Sequence, residues 1–161
     1  RDGRFAVGDG ITTIETNMID GNFPDYRGLI PKNFKLTVEF DYLDLRQALE
    51  SVEAVQKAND NHLPSFNMEL IQDNDKLSAT VSVTGEHELS TSIPANPMFQ
   101  DSEFKFPFKI AFNAELLDGI IARTGCSRVQ LFINAWNTPV VVRPQDASDN
   151  WYALVMPVHI G

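Results

Sequence analysis

The side chains able to do chemistry are few and scattered. Three histidines, His62, His87 and His159, fall in an expected loop, a turn and a terminal strand. None has a partner at the i, i+4 spacing that would set two imidazoles on one helical face for a metal, so they read as surface or interface residues. Cys126 is the only cysteine, which excludes an intrachain disulfide and a multi-cysteine metal site. With no second cysteine and no evident base, it reads as a small buried filler rather than a nucleophile. Glu86 and Glu88 flank His87, an arrangement that invites an acid-base or metal reading, yet alternating charge on an exposed turn is ordinarily solvated. Gly8-Asp9-Gly10 sits between two β-branched runs rather than between a strand and a helix, so it belongs to a hairpin and not to a phosphate cradle. No catalytic residue, metal site or cofactor is expected.

The elements that carry these residues follow from periodicity. Arg4 to Ile19 reads as two short strands about the glycine pair. Asp20 to Pro31, rich in proline, glycine and turn formers, reads as an irregular connector, anchored by Phe23, Tyr26, Leu29 and Ile30. Leu36, Val38 and Phe40 alternate with polar residues, as in a half-buried strand. After Asp41 as N-cap, apolar residues at Tyr42, Leu45, Ala48, Leu49, Val52 and Val55 follow helical spacing to about Lys57. A polar loop is expected over 58–64. Strands follow at Phe66 to Leu70 and Leu77 to Val83, joined by an Asn74-Asp75-Lys76 turn. Gly85 to Asp101 shows only a hint of an edge strand at Leu89 and Ile93, before breaks at Pro94 and Pro97. Phe104, Phe106, Phe108 and Ile110 predict a strand facing one way, with Pro107 marking an edge or bulge. Asn113 then caps a second helix over Ala114 to Arg123, whose apolar face is Leu116, Leu117, Ile120 and Ile121 and whose stop is Gly125. Three strands end the chain: Val129 to Ile133, Val140 to Arg143 and Trp151 to Val158. The order strand, helix, strands occurs twice, Leu36 to Val83 being echoed by Phe104 to Val158. This predicts an α+β fold of duplicated β-α-β-β-β halves, with two helices packed on one face of antiparallel sheet.

Composition narrows the function classes. A chain of 161 residues with 43% hydrophobic and 22% charged residues is sized for one folded domain, or one domain plus a fragment. Thirteen Lys and Arg against 22 Asp and Glu leave a net charge of -9, the wrong sign for gripping nucleic acid by bulk charge. No apolar run approaches the roughly 20 residues that span a bilayer, so a soluble, cytoplasmic protein without a membrane partner is expected. Arg1 rather than Met opens the chain, and no signal layout follows it; the expectation is a piece of something longer.

Two segments are more specific. Ile19-Asp-Gly-Asn-Phe-Pro-Asp-Tyr-Arg-Gly-Leu-Ile-Pro-Lys-Asn33 closely resembles the connector between the second and third domains of the bacterial sliding clamp, the β subunit of DNA polymerase III. Leu154-Val-Met-Pro-Val-His-Ile160 resembles the C-terminal strand and tail of the same family. The resemblance implies that residues 1–22 are the last hairpin of the second clamp domain and 23–161 the connector and third domain. It implies a non-catalytic processivity factor of a DNA polymerase holoenzyme. In the family two three-domain chains close a ring around duplex DNA, helices inward, and retain it by topology through sequence-blind backbone contacts. The implied partners are duplex DNA, replicative and repair polymerases, the clamp loader and mismatch-repair proteins. All the proteins dock short peptides, a Gln followed by Leu and Phe residues, in an apolar pocket.

By the same resemblance the pocket residues are Pro24, Gly28, Leu29, Asn113, Leu116, Leu154, Val155, Met156 and Pro157. DNA-facing bases would be Arg46, Lys57, Arg123 and Arg128, and Ala54 and Val55 would lie near the ring interface. The chain departs from the family at Gly28, where a basic residue is usual, and at Leu116, where an aromatic is usual. Its loop from Gln56 to Ser65 is longer, which leaves the pocket's usual aromatic from that region unplaced. Lacking the other domains, this chain is expected to be a monomer with half a pocket that binds clamp peptides weakly, and a homodimeric ring requires the full-length protein. The alternative is a stand-alone interaction module of clamp-like fold that does not encircle DNA, motivated by acidic helix faces.

Overall fold

Asp41 and Asn113 mark the two places where a strand passes directly into a helix. The Asp41 carboxylate accepts hydrogen bonds from the N–H groups of Leu43 and Asp44 at 2.9 and 3.4 Å, and Asn113 Oδ1 accepts one from Leu116 N–H at 2.9 Å. Both satisfy donors that the first helical turn leaves unpaired. In the computed structural model the described residues are 3–18, 21–22, 25–59, 65–145 and 151–159. The expected loop at 58–64 falls outside them, His62 included, except for Ala58, which ends the first helix, and Asn59, its C-cap.

The elements are β1 (Arg4–Gly8), β2 (Thr13–Asn17), a 3-10 turn (Tyr26–Leu29), β3 (Leu36–Asp41), α1 (Tyr42–Ala58), β4 (Ser65–Asp73), β5 (Lys76–Val83) and β6 (Leu89–Gln100). After these come β7 (Phe108–Asn113), α2 (Ala114–Ile121), β8 (Arg128–Ile133), β9 (Val140–Pro144) and β10 (Ala153–Val155). The β-α-β-β-β unit thus occurs twice, β3 to β6 and β7 to β10, as the duplicated pattern predicts. One eight-stranded antiparallel sheet runs β10-β9-β8-β3-β6-β5-β4-β7. The halves interlock, because β3 of the first pairs with β8 of the second while β7 of the second pairs with β4 of the first. Past β10 the chain reaches the opposite edge, where Val158 N–H donates to Ala111 O of β7 at 2.8 Å. The sheet therefore curls around the core until its two ends are joined by the tail.

That core lies between the helices and the concave face. Leu45, Ala48, Leu49 and Val52 of α1 and Ala114, Leu117 and Ile121 of α2 are buried with Leu36, Val38, Phe40, Ile110, Phe112, Leu131 and Ile133 from the strands. The helices are further tied by Arg46, whose Nε donates to Asp118 Oδ1 at 2.9 Å and whose NH1 donates to the Tyr42 hydroxyl at 3.2 Å.

Several expectations are corrected. The connector is not wholly irregular, since Tyr26–Leu29 form a 3-10 turn. Pro94 and Pro97 do not break the chain: β6 is a twelve-residue strand through both. Leu89–Ala95 pair with β5 and Asn96–Gln100 with β3, so each half has a hydrogen-bonded neighbour on one side only and behaves as an edge, where a residue without N–H is tolerated. Met98 is the extra residue of a bulge at the handover, with Thr37 opposite Phe99 and Val38 opposite Pro97. Phe104 and Phe106 precede the strand, which begins at Phe108; Phe104 is buried in the loop with its ring 5.4 Å from Phe106 and 4.8 Å from Phe108. The last strand is only Ala153–Val155, followed by the Val158 bridge. The second helix ends at Ile121, two residues early, although Gly125 does stand at φ +63° just beyond it.

β1 and β2 form a separate two-stranded sheet. Asp9 Oδ1 accepts hydrogen bonds from Ile11 and Thr12 N–H across the turn, and these backbone donors, Thr12 first, hold its carboxyl below the usual range. Cross-strand pairing puts Phe5 opposite Thr16 and Val7 opposite Ile14 on one face, and every residue of both strands is exposed.

Candidate functional site

The candidate docking residues come from three segments separated in sequence, and a fourth segment links them. Asn134, at the start of the turn between β8 and β9, accepts a hydrogen bond from Lys35 N–H at 2.9 Å and donates to Asn33 O at 2.8 Å. Its amide thereby fastens the end of the connector to the β8–β9 turn. The tail lies along the same turn, because Leu154 and Val155 pair with Val141 and Val140 of β9. On its other side the tail meets β7 at Val158 and Ala111, and continuing that antiparallel register sets Met156 level with Asn113, the cap of α2. The end of the connector, the turn and the tail are therefore neighbours, and the Val158 bridge brings the tail beside β7, the strand that leads into α2.

Each of these segments leaves an apolar side chain in solvent. Leu116 is 62% exposed, Met156 58% and Leu29 56%. Leu116 was expected on the apolar face of α2, but its position one residue before buried Leu117 turns it outward, with Ala114, Leu117 and Ile121 forming the inner face. Val155 is buried and Leu154 and Pro157 are half-buried, so they offer less surface than Met156 does. The Asn113 side chain is engaged in capping. Gly28 is exposed, and a Cβ added there would meet only the Asp25 carboxylate at 3.6 Å. Pro24 lies outside the described residues. The residue that sequence reasoning missed is Trp136, 42% exposed in the β8–β9 turn, with its ring 5.5 Å from that of His159. A tryptophan in a polar turn was the available signal.

The four bases considered for DNA contact are all engaged within the chain. Arg46 bonds to Asp118 and sits 3.1 Å from Glu50; the Tyr42 hydroxyl and Asp118 raise its pKa beyond the ordinary arginine value. Lys57 lies 3.8 Å from Glu53, and Arg123 donates to Gly119 O. Arg128 donates to Glu39 Oε1 at 2.9 Å. Glu39 alternates with core residues Val38 and Phe40 along β3, so the Glu39–Arg128 pair is on the sheet face turned away from the helices. Ala54 is exposed and Val55 half-buried on the last turns of α1. Beside them Asn59 pins the β5–β6 turn, donating to His87 O at 2.8 Å and accepting from His87 N–H at 2.6 Å.

Among the described residues no group of three or more His, Cys, Asp or Glu side chains is placed to hold a metal, and no helix is long and apolar enough to cross a membrane. Cys126 is half-buried and its thiol donates to Arg128 O at 2.8 Å.

Two helices laid against a curled antiparallel sheet, built from interlocked β-α-β-β-β halves, define a domain of the DNA-clamp fold. The β subunit of DNA polymerase III from Pseudomonas aeruginosa superposes with a TM-score of 0.79 at 19% identity, over 99% of this chain and 40% of that one. The Streptococcus pneumoniae β chain gives 0.77 at 22% identity, again over 99% and 40%. In sequence the chain is similar to the β sliding clamp: it is 28% identical over 156 residues to that of Synechococcus elongatus, covering 97% of this chain and 38% of the relative. Against the Haemophilus influenzae β sliding clamp it is 22% identical over 150 residues, covering 92% and 37%. No protein-family model matches. The resemblance expected from the connector and tail thus holds along nearly the whole chain, which spans less than two fifths of the relatives' length.

Proposed function

We propose that this chain is the peptide-docking part of a sliding clamp, a non-catalytic processivity factor that as a longer, dimeric protein encircles duplex DNA in the cytoplasm. On this reading residues 1–22 belong to a preceding clamp domain and 23–161 form the connector and third domain. Polymerases, the clamp loader and mismatch-repair proteins are its docking partners. The observation that supports the reading is that the end of the connector, the β8–β9 turn and the tail are joined by hydrogen bonds and strand pairing, with Met156 on the tail and Leu116 on α2 left in solvent. An extended apolar peptide is the ligand such a surface fits, and methionine and leucine suit a site that accepts related sequences.

Titrating a fluorescent Gln-Leu-Phe-type peptide against the chain tests it. Wild type binds, and Leu154→Ala with Met156→Ala together weaken binding at least about tenfold, as expected for loss of central apolar contacts. Equal affinity for the two proteins would remove the pocket assignment.

A second reading, an interaction module that does not encircle DNA, is favoured by one observation. On the helix side Arg46 and Lys57 are each paired with a carboxylate and Arg123 with a carbonyl. Retention of the longer protein on closed circular DNA, with release on linearisation, separates the two readings.

A further inference from the structure

Trp136 is the one exposed aromatic on the β8–β9 turn, and the function proposed above makes no use of it. The turn holds it in place from two directions. Asn134, two residues earlier, is bonded to Asn33 and Lys35, and Thr138, two residues later, accepts at Oγ1 from Ala135 N–H and donates to Ala135 O, both at 3.1 Å. The His159 ring meets the indole nearly edge-on, at 86° and 5.5 Å between centroids, inside the range in which such pairs attract. Even so, 42% of the residue stays in solvent, a large apolar surface for a side chain so firmly positioned.

Its place relative to the tail gives that surface an occupant. Val155 pairs with Val140, so the tail leaves β10 beside this turn, and from Met156 to His159 it advances about 10 Å at some 3.3 Å per extended residue. A peptide laid in extended form along the tail from Met156 reaches Trp136 two to four residues further on. The chain's net charge of -9 favours a peptide without negative charge.

We propose that Trp136, braced by His159, is a specificity-determining residue of the docking site: it forms an aromatic wall that receives an aromatic side chain of the bound peptide. This rests on the peptide-docking reading, and the test separates the two.

The measurement is a titration of the chain with two uncharged or basic peptides, one ending in Leu-Phe and one in Leu-Ala, using wild type, Trp136→Ala, Trp136→Phe and His159→Ala. The expected result is that Trp136→Ala binds the Leu-Phe peptide at least about fivefold more weakly, that Trp136→Phe recovers most of the loss, and that the penalty vanishes with Leu-Ala. His159→Ala gives a smaller loss in the same direction. In a Trp151→Phe background Trp136 is the sole tryptophan, and its emission shifts to the blue saturably with Leu-Phe; this decides the matter should Trp136→Ala fail to fold. Unchanged affinity in Trp136→Ala, while the Leu154 and Met156 double variant loses binding, overturns the role of Trp136 and leaves the docking reading standing. Failure of wild type to bind either peptide overturns both.

Discussion

Asp41 and Asn113 end the first strand of each half and cap the helix that follows, so a single side chain sets where each α-helix starts. Asp41→Ala removes an acceptor used by two N–H groups and is expected to cost about 1 kcal/mol, read as a lower denaturation midpoint with an unchanged slope. Asn113→Ala removes one such bond. It is expected to cost less in stability but to weaken peptide binding, since the cap sets the direction in which Leu116 leaves the helix. Both caps were legible from sequence, because the signal is local: a short acceptor directly before helical spacing. The outward turn of Leu116 was not, since Leu116, Leu117, Ile120 and Ile121 are alike in character and only packing chose which of them face the core. The pairing of Arg46 with Asp118 was equally hidden, as 72 residues separate the partners.

At the scale of elements, the hairpin of β1 and β2 contrasts with the sheet. Its strands pair fully in register, yet Phe5, Val7 and Ile14 on one face are all more than half exposed. A two-stranded ribbon without a packed face is marginal in water, so its amides should exchange with solvent far faster than those of β3 or β8 in a native-state hydrogen-exchange measurement. Equal protection would mean that the face is covered in solution. β6 shows the reverse case, an element that sequence patterning underestimated. Prolines report a missing donor, but whether the missing donor matters depends on which side a strand is paired. Only the handover of β6 from β5 to β3, at the Met98 bulge, makes both prolines harmless. The tail follows a similar course in the second half, where β10 pairs with β9 and Val158, just beyond Pro157, bridges to Ala111 of β7.

At the largest scale, the sheet closes on itself through the Val158 bridge and the helices cover its concave face, which leaves the hairpin as the main uncovered apolar face among the described residues. If residues 1–22 belong to a domain absent from this chain, the chain alone has no ring to close, and equilibrium sedimentation should give the mass of one copy. A two-copy mass abolished by Phe5→Ser with Ile14→Ser would instead assign that face to self-association. The sequence by itself determined the β-α-β-β-β duplication, both helices with their caps and most of the strands, because hydrophobic period, capping and turn chemistry act between residues close in the chain. It also marked the connector and tail as the segments that most specifically resemble the sliding clamp. Tertiary structure alone decided that the end of the connector and the tail both meet the β8–β9 turn, that the Trp136 ring stands against that of His159, and that Arg46 and Arg128 are held by Asp118 and Glu39. The Arg46–Asp118, Arg128–Glu39 and Asn134–Asn33 contacts span 72, 89 and 101 residues of chain, and a long-range contact leaves no periodic trace in the order of residues that make it.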